Sequence, residues 1–288
     1  ASTPWPPGVW DCHTHVFAPQ TTHPMVADRH YTPGEASTGA LQAHLHAVGA
    51  QRVVLVQPSV YGTNNQVLLD ALAQLQGRGR GVAVLADHTP PAVLNALHQQ
   101  GVRGVRLNVE SASLRDPNNL WQLLRQWASR VADQGWHVQL YAAFDTLAAL
   151  GSRLGQLPAP VVLDHFAMAP AHLAPQGAAA QGLQAALDTG RVYVKLSAPY
   201  RLAAQVPGAD EAAVDRWAQA LLQRAPERVL WGTDWPHTFR EPGKGPLEVS
   251  RFRPLPATDL ARWARSWLPT AGLQQRVLVD NPTGLYGA

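Results

Sequence analysis

Val9-Trp10-Asp11-Cys12-His13-Thr14-His15 is the stretch on which the fold of this chain turns. A short apolar run leads into two histidines separated by one residue. Side chains of extended backbone alternate between faces, so a His-x-His pair at a strand end leaves on one face. There it can chelate one metal ion or grip one substrate oxygen. A lone His-x-His also arises by chance on surfaces. Its weight here comes from its place, at the end of the first of a series of similar runs.

The series comprises residues 9–13, 52–58, 81–86, 102–108, 137–142, 161–165, 192–197 and 228–234. The runs are rich in Val and Leu, as strands buried on both faces should be. Their starts lie roughly 21 to 43 residues apart, the spacing of βα units. Helix signals fill the gaps. Asn64 or Asn65 can cap a helix with Leu68, Ala71, Leu72 and Leu75 on one face, ended by Gly77. Thr89 before Pro90 and Pro91 reads as an N-cap, with Gly101 closing that helix. Leu120, Leu124, Trp127 and Val131 line the next helix, stopped by Gly135. Asp210 can cap residues 211–223, with Val214, Trp217 and Leu221 inward. Eight alternating units predict an α/β fold, a (β/α)8 TIM barrel, over a single domain spanning residues 1–288. An open doubly wound sheet is the alternative; the unit count and the placing of polar residues favour closure.

Composition narrows the function. Hydrophobic residues at 46% suffice for a large core, and 23 glycines with 24 prolines suit a fold with many loops. No apolar stretch approaches the roughly 20 residues needed to span a bilayer, and the start lacks the pattern of a secretory signal. The single cysteine, Cys12, precludes an internal disulfide and suits a reducing compartment. The expected location is cytoplasmic, without membrane association. A pI near 9.3 invites a nucleic-acid reading. The basic residues are scattered, however, and nearly all Arg, with only Lys195 and Lys244 as lysines. No nucleic-acid partner is expected.

Catalytic groups of such barrels sit at the carboxyl ends of strands. The sixth run ends Leu163-Asp164-His165-Phe166, and the eighth continues Trp231-Gly232-Thr233-Asp234-Trp235-Pro236-His237. Taken singly, His165 reads equally as a hydrogen-bonded strand-end residue and Asp234 as a helix cap. Arranged in the expected strands with His13 and His15, they should converge on the barrel axis. Imidazoles and a carboxylate suit a zinc-type ion, or a general base with electrophilic partners.

Other features read more plainly. The sequence Gly77-Arg78-Gly79-Arg80-Gly81 precedes a strand and reads as a turn, not a phosphate loop. His44 and His46 fall on an outer helix and are expected to face solvent. Cys12 reads as a small buried hydrophobe. His23, His30 and His88 fall in loops that could border the mouth.

The segments WDCHTHVF (10–17), LDHFA (163–167), KLSAPYR (195–201), LWGTDWPH (230–237) and DNPTGLYG (280–287) together resemble the landmarks of the amidohydrolase-2 family. Within it they are most similar to the branch of 2-pyrone-4,6-dicarboxylate hydrolases and sugar lactonases. The resemblance spans nearly the whole chain in order. It implies a (β/α)8 barrel and hydrolysis of a small carboxylated lactone, with catalytic positions at His13, His15, His165 and Asp234. In that branch, positions matching Arg106, Tyr141, Arg201, Ser59 and Tyr61 bind substrate carboxylates. A guanidinium fork suits a carboxylate, although an ion pair bracing a loop is the alternative for each arginine, and a simple turn for Ser59 and Tyr61. Lys195 reads equally as charge stabiliser or structural ion pair. His237 either orients the Asp234 loop or touches substrate.

Two features of the wider superfamily are missing. The fourth run reads Val105-Arg106-Leu107-Asn108, with no bridging lysine, and the fifth Gln139-Leu140-Tyr141, with no histidine. The expected cofactor is therefore none, or one divalent cation, Zn or Mn, on His13, His15, His165 and Asp234. The expected mechanism has Asp234 take a proton from water while the histidines polarise the carbonyl. A decarboxylase (lyase) and a lactone isomerase of the same superfamily are the nearest alternatives, and a non-catalytic acid-binding barrel is the remote one. Association into a homo-oligomer is left open.

Overall fold

The computed structural model describes residues 4–109, 112–203 and 211–287. Eight parallel strands lie in sequence order: β1 (Trp10–Thr14), β2 (Arg52–Val56), β3 (Gly79–Ala83), β4 (Val102–Asn108), β5 (His137–Tyr141), β6 (Val161–Leu163), β7 (Val192–Leu196) and β8 (Val229–Trp231). Helices between them complete a (β/α)8 barrel. Parallel neighbours require such crossovers, and the helices cover the outer face of the sheet.

The ladder runs continuously from β1 to β8, and the last seam closes just beyond the strands. His15 N–H donates to the Trp235 carbonyl at 2.9 Å, and Asp234 N–H to the His13 carbonyl at 2.9 Å. The seam is tight because Gly232 has no side chain: a Cβ there would lie 2.8 Å from both the His13 Cβ and its backbone nitrogen.

Two packed layers account for the strand alternation. Outward residues such as Val53, Leu55, Val105, Leu140 and Val194 join the helix faces in one extended core. The faces foreseen from periodicity, Leu120–Leu124–Trp127–Val131 and Val214–Trp217–Leu221, are buried in it. Alternate strand residues form a second cluster inside the barrel: Trp10, Cys12, Val54, Val56, Val82, Val162 and Leu230, with Tyr286 stacked on Trp10. Cys12 is fully buried there.

Some boundaries differ from expectation. β3 starts at Gly79, so most of the Gly-Arg-Gly-Arg-Gly stretch is strand and not turn. The cause is packing: a Cβ on Gly79 would meet Leu75 Cδ1 at 2.8 Å, and one on Gly81 would meet Leu68 Cδ2 at 2.9 Å. The helix Pro91–Gln99 starts one residue late, with Pro90 and not Thr89 as its N-cap. Asn65 occupies the N-cap of Gln66–Gln74 without capping it, and the Asn64 side chain accepts from Gln66 N–H at 3.1 Å instead. Asp210 lies outside the described residues; the helix it was expected to cap runs Glu211–Arg224. Among the described residues no helix is long and apolar enough to cross a membrane.

Candidate active site

At the carboxyl end of the barrel, β6 and β8 stop early, so Asp164, His165 and Asp234 follow them in irregular backbone. His165 and Asp234 have φ of 49° and 61°, the left-handed region that non-glycine residues rarely occupy. Such strain persists only where surrounding contacts impose it, and it gathers at functional sites. On β1 the pairing register shifts between Asp11 and Thr14. This irregularity lets Cys12 pack inside the barrel while His13 and His15 both reach its upper end.

Asp11 turns the other way and clamps the seam. It accepts from Thr233 N–H at 2.9 Å, Thr233 Oγ1 at 2.5 Å and His44 Nε2 at 3.0 Å. His44 therefore does not face solvent, as expected from its helix, but is buried. A carboxylate under the helix recruits an imidazole that helical periodicity alone assigns to the outside. His46 remains exposed.

The four strand-end residues meet. His13 Nε2 and His15 Nε2 lie 3.5 Å and 3.7 Å from Asp234 Oδ1, and the His13 and His165 ring centroids are 4.7 Å apart. The other oxygen of Asp234, Oδ2, accepts from Tyr200 Oη at 2.6 Å and Arg201 Nη2 at 3.1 Å. Burial pushes the Asp234 carboxyl up, but Arg201, His165, His15 and Tyr200 outweigh burial and hold it well below the usual carboxylate range. Burial draws His15 and His165 down to about 4 against the opposing pull of Asp234. His13 falls well below its ordinary value through burial and the neighbouring Lys195. Burial thus disfavours the charged form of all three imidazoles.

A cavity of about 410 Å³ opens above this group. Arg106, Tyr141, Arg201 and Ser59 line it with His15, His165 and Asp234. His13 lies fully buried beneath. Tyr61 is not brought there: its hydroxyl accepts from Ala18 N–H at 3.0 Å, so it ties the loop after β1. His237 is buried behind Asp234, its Nδ1 3.5 Å from Tyr200 Oη. Of the three loop histidines, His30 borders the cavity, His23 lies near Asp70 and His88 is exposed.

Several contributors were not singled out in the sequence. Asp164 Oδ2 accepts from Arg106 Nε and Nη2 at 3.2 Å and 3.0 Å, so Arg106 is braced while it faces the cavity. Tyr200 holds Asp234, and Tyr31, Asn108 and Arg240 add to the lining. Asp164 and Tyr200 lie inside the quoted segments LDHFA and KLSAPYR, the one signal that could have found them. Lys195 forms the buried ion pair of one of its readings, with Asp164 Oδ1 at 3.8 Å, and its Nζ also lies 3.0 Å from Gln139 Oε1 and 3.1 Å from His13 Nδ1.

Whether these residues suit a divalent ion depends on protonation as well as distance. Ligand atoms of His13, His15 and Asp234 lie within 4.8 Å of one another, as do those of His13, Asp164 and His165. His15 is prepared for a metal, because its Nδ1–H donates to the Val56 carbonyl at 2.7 Å and leaves Nε2 a free lone pair. His13 is not. Burial lowers the Lys195 amine to about 8, with Asp164 partly opposing. As an ammonium Lys195 only donates; against it His13 Nδ1 would accept and Nε2 would carry the hydrogen. Both clusters include His13, and in this state neither offers a divalent ion its full set of lone pairs.

A buried His-Asp cluster at the carboxyl end of a (β/α)8 barrel, ringed by arginines, defines a hydrolase-type site. The chain belongs to the amidohydrolase family, whose model matches residues 10–288. It is 35% identical to the 2-pyrone-4,6-dicarboxylate hydrolase of Comamonas testosteroni, covering 98% of this chain and 90% of that one. It is 32% identical to the 4-sulfomuconolactone hydrolase of Hydrogenophaga intermedia, over 98% and 89% respectively. A Pseudomonas putida crystal structure described as a 2-pyrone-4,6-dicarboxylic acid hydrolase superimposes with a TM-score of 0.79 at 30% identity, covering 97% of each chain.

Proposed function

We propose that this chain is a lactonase, which opens the ring of a small lactone bearing at least one carboxylate. The observation that carries the reading is the division of Asp234. Its Oδ2 is held by Tyr200 and Arg201, while Oδ1 faces His13 and His15. A water between Asp234 Oδ1 and the His15 Nε2 lone pair would direct both hydrogens to these acceptors and its own lone pair to the substrate. The water oxygen bonds to the lactone carbonyl carbon as its proton passes to Asp234. N–H donors below the carbonyl stabilise the oxyanion. The tetrahedral intermediate then collapses, the bond from carbon to ring oxygen breaks, and the departing oxygen takes up the proton held by Asp234, which returns to its ionised form. The product is a ring-opened acid with a hydroxyl or keto group. Arg106 and Arg201 supply guanidinium groups for substrate carboxylates. The two relatives named above, a pyrone dicarboxylate hydrolase and a sulfomuconolactone hydrolase, support this substrate class.

The test is a screen of carboxylated lactones, with 2-pyrone-4,6-dicarboxylate first, following loss of the lactone chromophore. Asp234→Asn keeps the shape and removes the base. Turnover should fall by about 10²–10⁴-fold, the usual contribution of a positioned base. Substrate affinity should change little. Turnover of the Asn variant within a few-fold of the parent, or no ring opening of any carboxylated lactone, would remove this reading.

A further inference from the structure

Lys195 takes no part in the chemistry above, yet it is fully buried inside the barrel. Burying an ammonium is costly, and a buried cation normally meets a carboxylate directly. Here the nearest carboxylate oxygen, Asp164 Oδ1, is 3.8 Å away. The hydrogen bonds go instead to Gln139 Oε1 and to His13 Nδ1. The ion pair with Asp164 is long, and the close contacts of the cation are with an amide and an imidazole, so the arrangement calls for a role.

We propose that Lys195 is a positioning residue that fixes the tautomer of His13, holding Nδ1 as an acceptor so that Nε2 presents its hydrogen toward Asp234 Oδ1. Two groups compete for His13 Nδ1, and they dictate opposite tautomers. Lys195 Nζ, at 3.1 Å, can only donate while it is an ammonium, so Nδ1 accepts. Asp164 Oδ1, at 3.6 Å and buried with no hydrogen-bond partner among the described residues, can only accept. If Asp164 took the bond, Nδ1 would carry the hydrogen and Nε2 would become a lone pair beside those of His15 and Asp234. A histidine that donates one N–H to a carboxylate and offers its other nitrogen is the usual form of a metal ligand. Lys195 is nearer and charged, and it keeps His13 in the donor form. The same contact therefore equips His13 to polarise an oxygen and withholds a lone pair from a divalent ion.

The first test needs no variant. In protein labelled with ¹⁵N-histidine, the ring shifts of His13 should show Nδ1 unprotonated and Nε2 protonated; the reverse overturns the proposal. The second uses Lys195→Met, which keeps the bulk and removes the donor. After chelator treatment, this variant should take up one equivalent of Zn²⁺ with at least tenfold higher affinity than the parent treated alike. Equal zinc affinity overturns the proposal. If the variant does not fold, the ring shifts of the parent decide. The catalytic consequence rests on the lactonase reading: kcat should fall by roughly 10²-fold, the size of a lost preorganised donor, with little change in KM. An unchanged kcat overturns that consequence. The ring-shift and zinc readouts require no lactone, so failure of the proposal and failure of the lactonase reading are distinguishable.

Discussion

Arg201 is engaged before any substrate arrives. It donates to Asp234 Oδ2 and to the Thr238 carbonyl, each at 3.1 Å, while also lining the cavity. A substrate carboxylate bound there, as proposed, would share this guanidinium with Asp234. On the proposed reading, such sharing would weaken the grip on Oδ2 and make Asp234 a stronger base. Arg201→Ala should raise KM for carboxylated lactones by about 10- to 100-fold, the equivalent of roughly 1.5–3 kcal/mol for a lost charge-assisted contact. Neutral lactones should be affected less. Steady-state kinetics on a matched pair of acidic and neutral lactones measures this, and unchanged selectivity would remove Arg201 from substrate binding.

The seam between β1 and β8 positions the site more than either strand does alone. His13, His15 and Asp234 all lie on it, tied by two backbone hydrogen bonds and by the clamp of Asp11 on Thr233 and His44. Gly232 permits this approach, since any side chain would press on His13. Gly232→Ala should cost about 1–3 kcal/mol, as overpacking of a tight interior does. Because the displaced group is His13, turnover should fall even where the protein remains folded. Urea midpoints and turnover on the same preparation would show it; parent-like values in both would mean that the seam is slack.

Acid stability is a property of the whole barrel. His15, His165 and His237 are drawn to about 4, and His137 to about 3, in each case chiefly by burial. Unfolded histidine takes up a proton near pH 6.5. Between about 6.5 and 4 the unfolded chain therefore binds more protons than the folded one, and stability declines as pH falls through that window. Asp164 and Asp234 act in a lower range. Their folded-state values are depressed, so the stability they contribute is intact above the ordinary carboxylate value and is lost only below it. Each buried histidine can cost up to about 3 kcal/mol, a large fraction of a typical total of about 5–15 kcal/mol. Denaturant midpoints should fall steadily from pH 6.5 to 4. A flat profile would show that these histidines are not buried in neutral form.

The eight runs and the strand-end placement of His13, His15, His165 and Asp234 could be read from the chain because both depend on local pattern. Strand burial is written in consecutive residues, and a parallel barrel puts every strand's carboxyl end at the same rim. The partnerships among polar groups could not be read that way. Lys195 meets His13 across 182 residues, Arg106 meets Asp164 across 58, and Asp11 meets Thr233 across 222. The register shift on β1 and the burial of His44 likewise depend on what lies opposite, not on their own neighbours. Tyr61, close to the second strand in sequence, is drawn to Ala18 and away from the cavity. Inside a barrel, the register across every strand decides which side chains share a level. A buried charge is held by whichever partner that level supplies, and this chooses which oxygen of Asp234 is held by Tyr200 and Arg201 and which groups face the two nitrogens of His13.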